Sequence, residues 1–100
     1  MAFLQPIEIG NTGLVARYWR LTHSRIDHAA GAVEFHLHGY ADAAARAAGK
    51  PPLPSMVYRL PAPALGLADL HAVTTAALYA AARREPAVDG AVHFADAVDC

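Results

Sequence analysis

Cysteine is nearly missing from this chain, with Cys100 the single example among 100 residues. An intramolecular disulfide is therefore excluded, and a lone thiol does not make a metal centre. The lack of disulfides fits a reducing compartment. Cys100 also lies too close to the end to read as a prenylation motif, which places its cysteine four residues from the terminus. Basic residues are scarce as well. Lys and Arg total eight, the formal net charge is −1, and there is neither a basic run nor an acidic tail. That balance argues against nucleic-acid binding through phosphate contacts and against electrostatic attachment to a membrane. No apolar run approaches the length of a membrane-crossing helix. The opening segment Met1–Ile9 lacks a basic start and is interrupted by Pro6 and Glu8, unlike a secretory signal.

Catalytic signatures are equally thin. Ser24 and Ser55 are the only serines, and neither sits in a nucleophile elbow. Gly10-x-x-Gly13 lacks the Lys-Ser/Thr ending and the following helix of a phosphate loop. Nothing in the sequence calls for a cofactor, and no residue is assigned a catalytic role. Large apolar residues are few too. Much of the 55% hydrophobic content is alanine, which adds little buried area per residue. A small core of this kind often borrows stability from a partner surface.

The clearest positive signal is period-2 alternation. It runs through Leu14–His23 and again through Ala32–Tyr40, and reads as two half-buried strands. In the first strand Val15, Arg17, Trp19, Leu21 and His23 fall on one face, with Trp19 and Leu21 marking it as the core side. Leu14, Ala16, Tyr18, Arg20 and Thr22 fall on the other. In the second, Val33, Phe35 and Leu37 point inward, and Glu34, His36 and His38 point outward. Glu34 is expected to pair with Arg20 across the hairpin. Met56–Leu60 reads as a third strand, and the prolines at 54, 61 and 63 favour an edge position.

Residues 1–12 read as an N-terminal arm or an edge strand, with Ile7 and Ile9 alternating about Glu8 and Gly10–Gly13 as a joint. The arm reading expects mobility until a neighbour orders it. Residues 13–62 form the sheet region. A short helix after Asp42 is expected to end at Gly49, ahead of Pro51 and Pro52. The longest helix is expected over 67–85, capped near Asp69, with Leu70, Val73, Thr74, Ala77, Leu78 and Ala81 as its buried stripe. Residues 86–100 form a C-terminal segment, in which Ala91–Phe94 could add a strand or cover the helix end. The expectation is one α+β domain: a small, mainly antiparallel sheet of three or four strands packed against one C-terminal helix.

His36-x-His38 carries the one metal-like spacing, because residues i and i+2 of a strand point the same way, about 6–7 Å apart. A third local ligand is missing, and His23 is expected on the opposite face. A solvated or interface face is the simpler reading, so no metal is assigned and His36 and His38 are weak candidates only. The set Tyr18, Arg20, His36, His38 and Tyr40 is the most distinctive surface, rich in residue types favoured at protein interfaces. Phe3, Ile7 and Ile9 of the arm join it as interface candidates.

Several strings, taken together, resemble a known group of proteins. They are Tyr18–Leu21, then Gly39-Tyr40 leading into Ala44–Pro51, then a closing helix with Leu78-Tyr79 and a terminal Gly90-Ala91. In outline they look like small structural proteins of tailed bacteriophages, from the tail, baseplate and fibre region or from head decoration. The resemblance spans roughly residues 5–100 and carries no catalytic motif. It implies a virion component, assembled in the host cytoplasm, that packs against other virion proteins or copies of itself. It supplies no functional residue. A free cytoplasmic binding or regulatory module, such as a homodimer, is the alternative, and a metal-dependent hydrolase is third.

Overall fold

A computed structural model describes residues 2–8, 13–49, 53–67 and 70–100. Among these residues five strands form a single antiparallel sheet: β1 (Phe3–Glu8), β2 (Val15–Asp27), β3 (Ala32–Tyr40), β4 (Leu53–Pro61) and β5 (Val98–Asp99). Their order across the sheet is β4-β3-β2-β1-β5. The α+β class follows the sequence reading; the sheet gains a fifth strand because the C-terminal segment returns to pair with β1 at Phe3 and Leu4. Ala91–Phe94 is not a strand. Phe94 instead drops fully into the core.

The expected arm is strand β1, set between β2 and β5. Phe3 is completely buried, in contact with Tyr79 and Phe94 at ring-centroid distances of 5.1 Å each. Phe3 is thus a core residue and not an exposed interface candidate. Ile7 packs half-buried against the same core. Ile9 and the Gly10–Thr12 part of the joint lie outside the described residues. The ordering entropy of the segment is offset within its own sheet, by ladder hydrogen bonds and by one large buried ring.

Among the described residues three register shifts interrupt the ladders, one of them in β4, where Pro54 is the extra residue between His38↔Ser55 and Gly39↔Leu53. In β1, Gln5 and Pro6 sit between the pairs Leu4↔Tyr18 and Ile7↔Ala16. Proline has no N–H to give a ladder, and a bulge is one place a strand tolerates it. Ala16 and Trp19 are both buried here although three residues apart, so Ala16 belongs to the core and not to the outer face. In β2, Thr22 is the extra residue between Leu21↔Leu37 and His23↔His36. Past that bulge the alternation of β2 shifts by one.

Among the described residues a short helix α1, a longer helix α2 and 3-10 turns at Ala62–Leu65 and Leu70–Ala72 accompany the sheet. Asp42 caps α1 (Ala43–Ala47) by accepting from the Ala45 N–H at 2.7 Å. The long C-terminal helix α2 starts later than its apolar stripe suggests, at Thr75, and ends at Arg84. Leu70–Ala72 forms a separate 3-10 turn. Thr74 is extended, and its hydroxyl accepts from the Ala77 N–H at 3.1 Å, which makes it the N-cap. Asp69 lies outside the described residues. Leu78, Tyr79, Ala81 and Ala82 bury the inner side of α2.

The core lies between one sheet face and this helical layer. Trp19, Phe3, Phe35, Tyr58 and Phe94 are its largest members. Phe35 and Tyr58 stack in parallel at 4.9 Å. Trp19 meets Phe94 edge-on at 5.5 Å, and its Nε1–H donates to the Gln5 carbonyl at 2.9 Å. The indole lies over Gly39, its partner on β3; a Cβ there would stand 2.9 Å from Trp19 Cη2 and 2.9 Å from Ala16 Cβ.

Candidate interaction site

Among the described residues the core cluster takes no member from the opposite face of the sheet. Its side chains fall in four rows set by the register. The first runs Val98, Leu4, Tyr18, Tyr40 across β5, β1, β2 and β3. The second is Arg20, His38, Ser55, the third His23, His36, Val57, and the fourth Arg25, Glu34, Arg59. The face thus grades from apolar and aromatic at one end, through imidazoles, to alternating charge at the other.

All five residues singled out on the hairpin, Tyr18, Arg20, His36, His38 and Tyr40, share this face. They come together because period 2 holds along Tyr18–Arg20 of β2 and along His36–Tyr40 of β3. Tyr18 and Tyr40 meet edge-on at 6.3 Å. Leu4 and Val98 extend their row and remain exposed, at 42% and 61%. The pairing expected between Glu34 and Arg20 does not form, because Arg20 stands opposite His38. Glu34 faces Arg25 instead, at 3.9 Å, and approaches His36 Nε2 at 3.6 Å.

His23 overturns the expected face assignment. The Thr22 bulge carries it onto the outer face, where its ring stacks on His36 at 4.2 Å. His38 lies 6.0 Å from His23 and 6.3 Å from His36. Period 2 alone cannot place such a bulge, so the third imidazole was invisible to it. Thr22 Oγ1 hydrogen-bonds His38 Nδ1 and lies 3.3 Å from His23 Nδ1. Partial burial, reinforced by the neighbouring charges of His23 and His36, holds His38 below the usual imidazole range. Stacked rings do not aim their nitrogens at a common point. Among the described residues no group of three His, Cys, Asp or Glu is placed to hold a metal ion.

A cleft of about 350 Å³ lies elsewhere, lined by Ala76, Tyr79, Ala80, Arg83, Asp99 and Cys100. Its one cation is already committed. Arg83 donates to the Ala97 carbonyl, pairs with Asp99 and covers the Phe3 ring at 4.6 Å. The cleft therefore offers a ligand little unsatisfied polarity. The chemistry available to the outer face is recognition: flat aromatic area beside an arginine and three imidazoles. Comparison with known proteins found no matching family model, no matching curated protein and no matching solved structure.

Proposed function

We propose that this chain is a non-enzymatic assembly component, a structural protein of a tailed-phage virion that packs between other subunits. The observation that carries the packing role is the sheet face turned away from the core. Antiparallel sheets often leave one face in water. Such faces are usually polar, whereas this one presents Leu4, Val98, Tyr18 and Tyr40 in a single row beside Arg20 and three histidines. Tyrosine and arginine are enriched among the residues that anchor protein interfaces; tyrosine buries a large ring with few rotatable bonds and keeps a polar handle. The sequence resemblance to phage structural proteins supports the virion setting. The partners are then other virion proteins or further copies of the chain.

The test is particle composition. Purified particles should contain the chain in fixed stoichiometry by quantitative mass spectrometry. A Tyr18→Ala, Tyr40→Ala double variant should fold, since neither side chain belongs to the core, yet be lost from particles. Absence of the wild-type chain from particles, or incorporation of the variant at the wild-type level, would refute the proposal.

A further inference from the structure

The second half of β2 is an open strand edge. β2 runs thirteen residues to Asp27, but β1 covers it only from Val15 to Trp19. Leu21 N–H is capped by the Tyr79 hydroxyl at 2.7 Å. Beyond that point β3 lies on one side, and no strand lies on the other among the described residues. Exposure agrees. Ser24 and Ile26 stand opposite the fully buried Phe35 and Val33, on the core side of the sheet, yet both are exposed. After the Thr22 bulge the pairing of Ser24 to Asp27 with β3 is regular, and the stretch has neither the proline nor the lysine that usually blunts an edge.

We infer that this edge pairs with the same edge of a second copy, antiparallel about a two-fold axis at Ile26. The inference rests on the reading of the chain as an assembly component, but it uses a different surface. Charge complementarity selects both the occupant and the register. A two-fold at residue 26 sets each Arg25 opposite the other copy's Asp27 and Ile26 opposite Ile26. A two-fold at Arg25 would oppose the two arginines, and one at Ser24 would oppose Arg25 to His23. Slips by a single residue would put outward side chains opposite inward ones. Within each copy Arg25 already faces Glu34, and Asp27 pairs with Arg59 at 3.3 Å. Edge pairing therefore extends an existing ladder of alternating charge across the axis. Ile26, 38% exposed, gains an apolar neighbour.

Sedimentation equilibrium of the full chain over a concentration series should show a reversible dimer. Arg25→Asp should raise its dissociation constant about tenfold, because two attractive cross-strand pairs become repulsive. In a Cys100→Ser background, Ile26→Cys should oxidise to a covalent dimer and Ser24→Cys should not, since only residue 26 meets itself. The Tyr18→Ala, Tyr40→Ala variant should dimerise normally, which separates this inference from the docking role of the sheet face. A chain that stays monomeric at millimolar concentration would overturn the inference and leave the edge to a strand of another protein. A dimer indifferent to Arg25→Asp, or a Ser24→Cys variant that cross-links as well as Ile26→Cys, would overturn it too.

Discussion

Gly39→Ala is the smallest change that probes the joint between sheet and core. The added methyl would lie 2.9 Å from Ala16 Cβ, 2.9 Å from Trp19 Cη2 and 3.0 Å from Trp19 Cζ3. Carbon pairs are comfortable at about 3.5–4.0 Å, so three contacts are short together by roughly half an ångström or more each. The indole is poorly placed to retreat. Its Nε1–H is tied to the Gln5 carbonyl at 2.9 Å, and Phe94 packs against the ring. Ala16 Cβ moves only with its backbone. Overpacking of this kind costs about 1–3 kcal/mol, a sizeable share of the 5–15 kcal/mol expected for a domain. Tm should fall by about 4–8 °C for each kcal/mol lost. Urea and thermal melts followed by circular dichroism measure it. Gly31→Ala is the control: Gly31 has a φ of 68° with open space around its missing Cβ, so that variant carries only backbone strain of about 1–2 kcal/mol. Ala16→Gly placed in the Gly39→Ala background should recover part of the loss. A Gly39→Ala protein that melts within a degree of wild type would refute the close approach of Trp19 to β3.

Three further outcomes follow from the same geometry. Tyr79→Phe strands the Leu21 N–H, now bonded at 2.7 Å, and should lower unfolding free energy by about 1–3 kcal/mol in urea titrations. Tyr58→Phe should act the other way: the Tyr58 hydroxyl is buried without a hydrogen-bond partner among the described residues, so its removal should leave stability unchanged or raised by up to about 1–3 kcal/mol, and a clear loss would count against that environment. The lowered pKa of His38 means that the unfolded chain binds this proton more readily than the folded one; its stabilising effect is complete above about pH 6.5 and declines as pH falls below that value, so melts from pH 8 to 5 should slope downward and flatten in His38→Gln.

The sequence made the hairpin legible wherever two-residue alternation was unbroken. Val33, Phe35 and Leu37 against His36 and His38 could be assigned because β3 is regular on its core side and polar on the other. Asp42 could be read as a cap because an acid before an alanine run has few other local uses. The bulges were not legible. A bulge is one extra residue, and a string of side chains shows no gap where it falls; hence unbroken alternation puts Ala16 and His23 on the wrong faces. Thr74 and Thr75 hid the start of α2, because an N-cap in the middle of an apolar stripe looks like part of the stripe. Phe3 reads as a surface residue because a proline nearby suggests a loose arm, while its burial depends on Tyr79 and Phe94, over seventy residues away in sequence. The outer face was partly legible for the same reason as the core. Tyr18, Arg20, His36, His38 and Tyr40 share a parity, whereas Leu4 and Val98 join them only through pairing between distant strands.

The docking role of that face is tested most directly by hydroxyl-radical footprinting of the free chain against the assembled particle. Leu4, Tyr18, Tyr40, His36 and His38 should be strongly protected on assembly, with Val92, which is exposed and not on this face, labelled equally in both states. Equal labelling of Tyr18 and Tyr40 in free and assembled protein would contradict it.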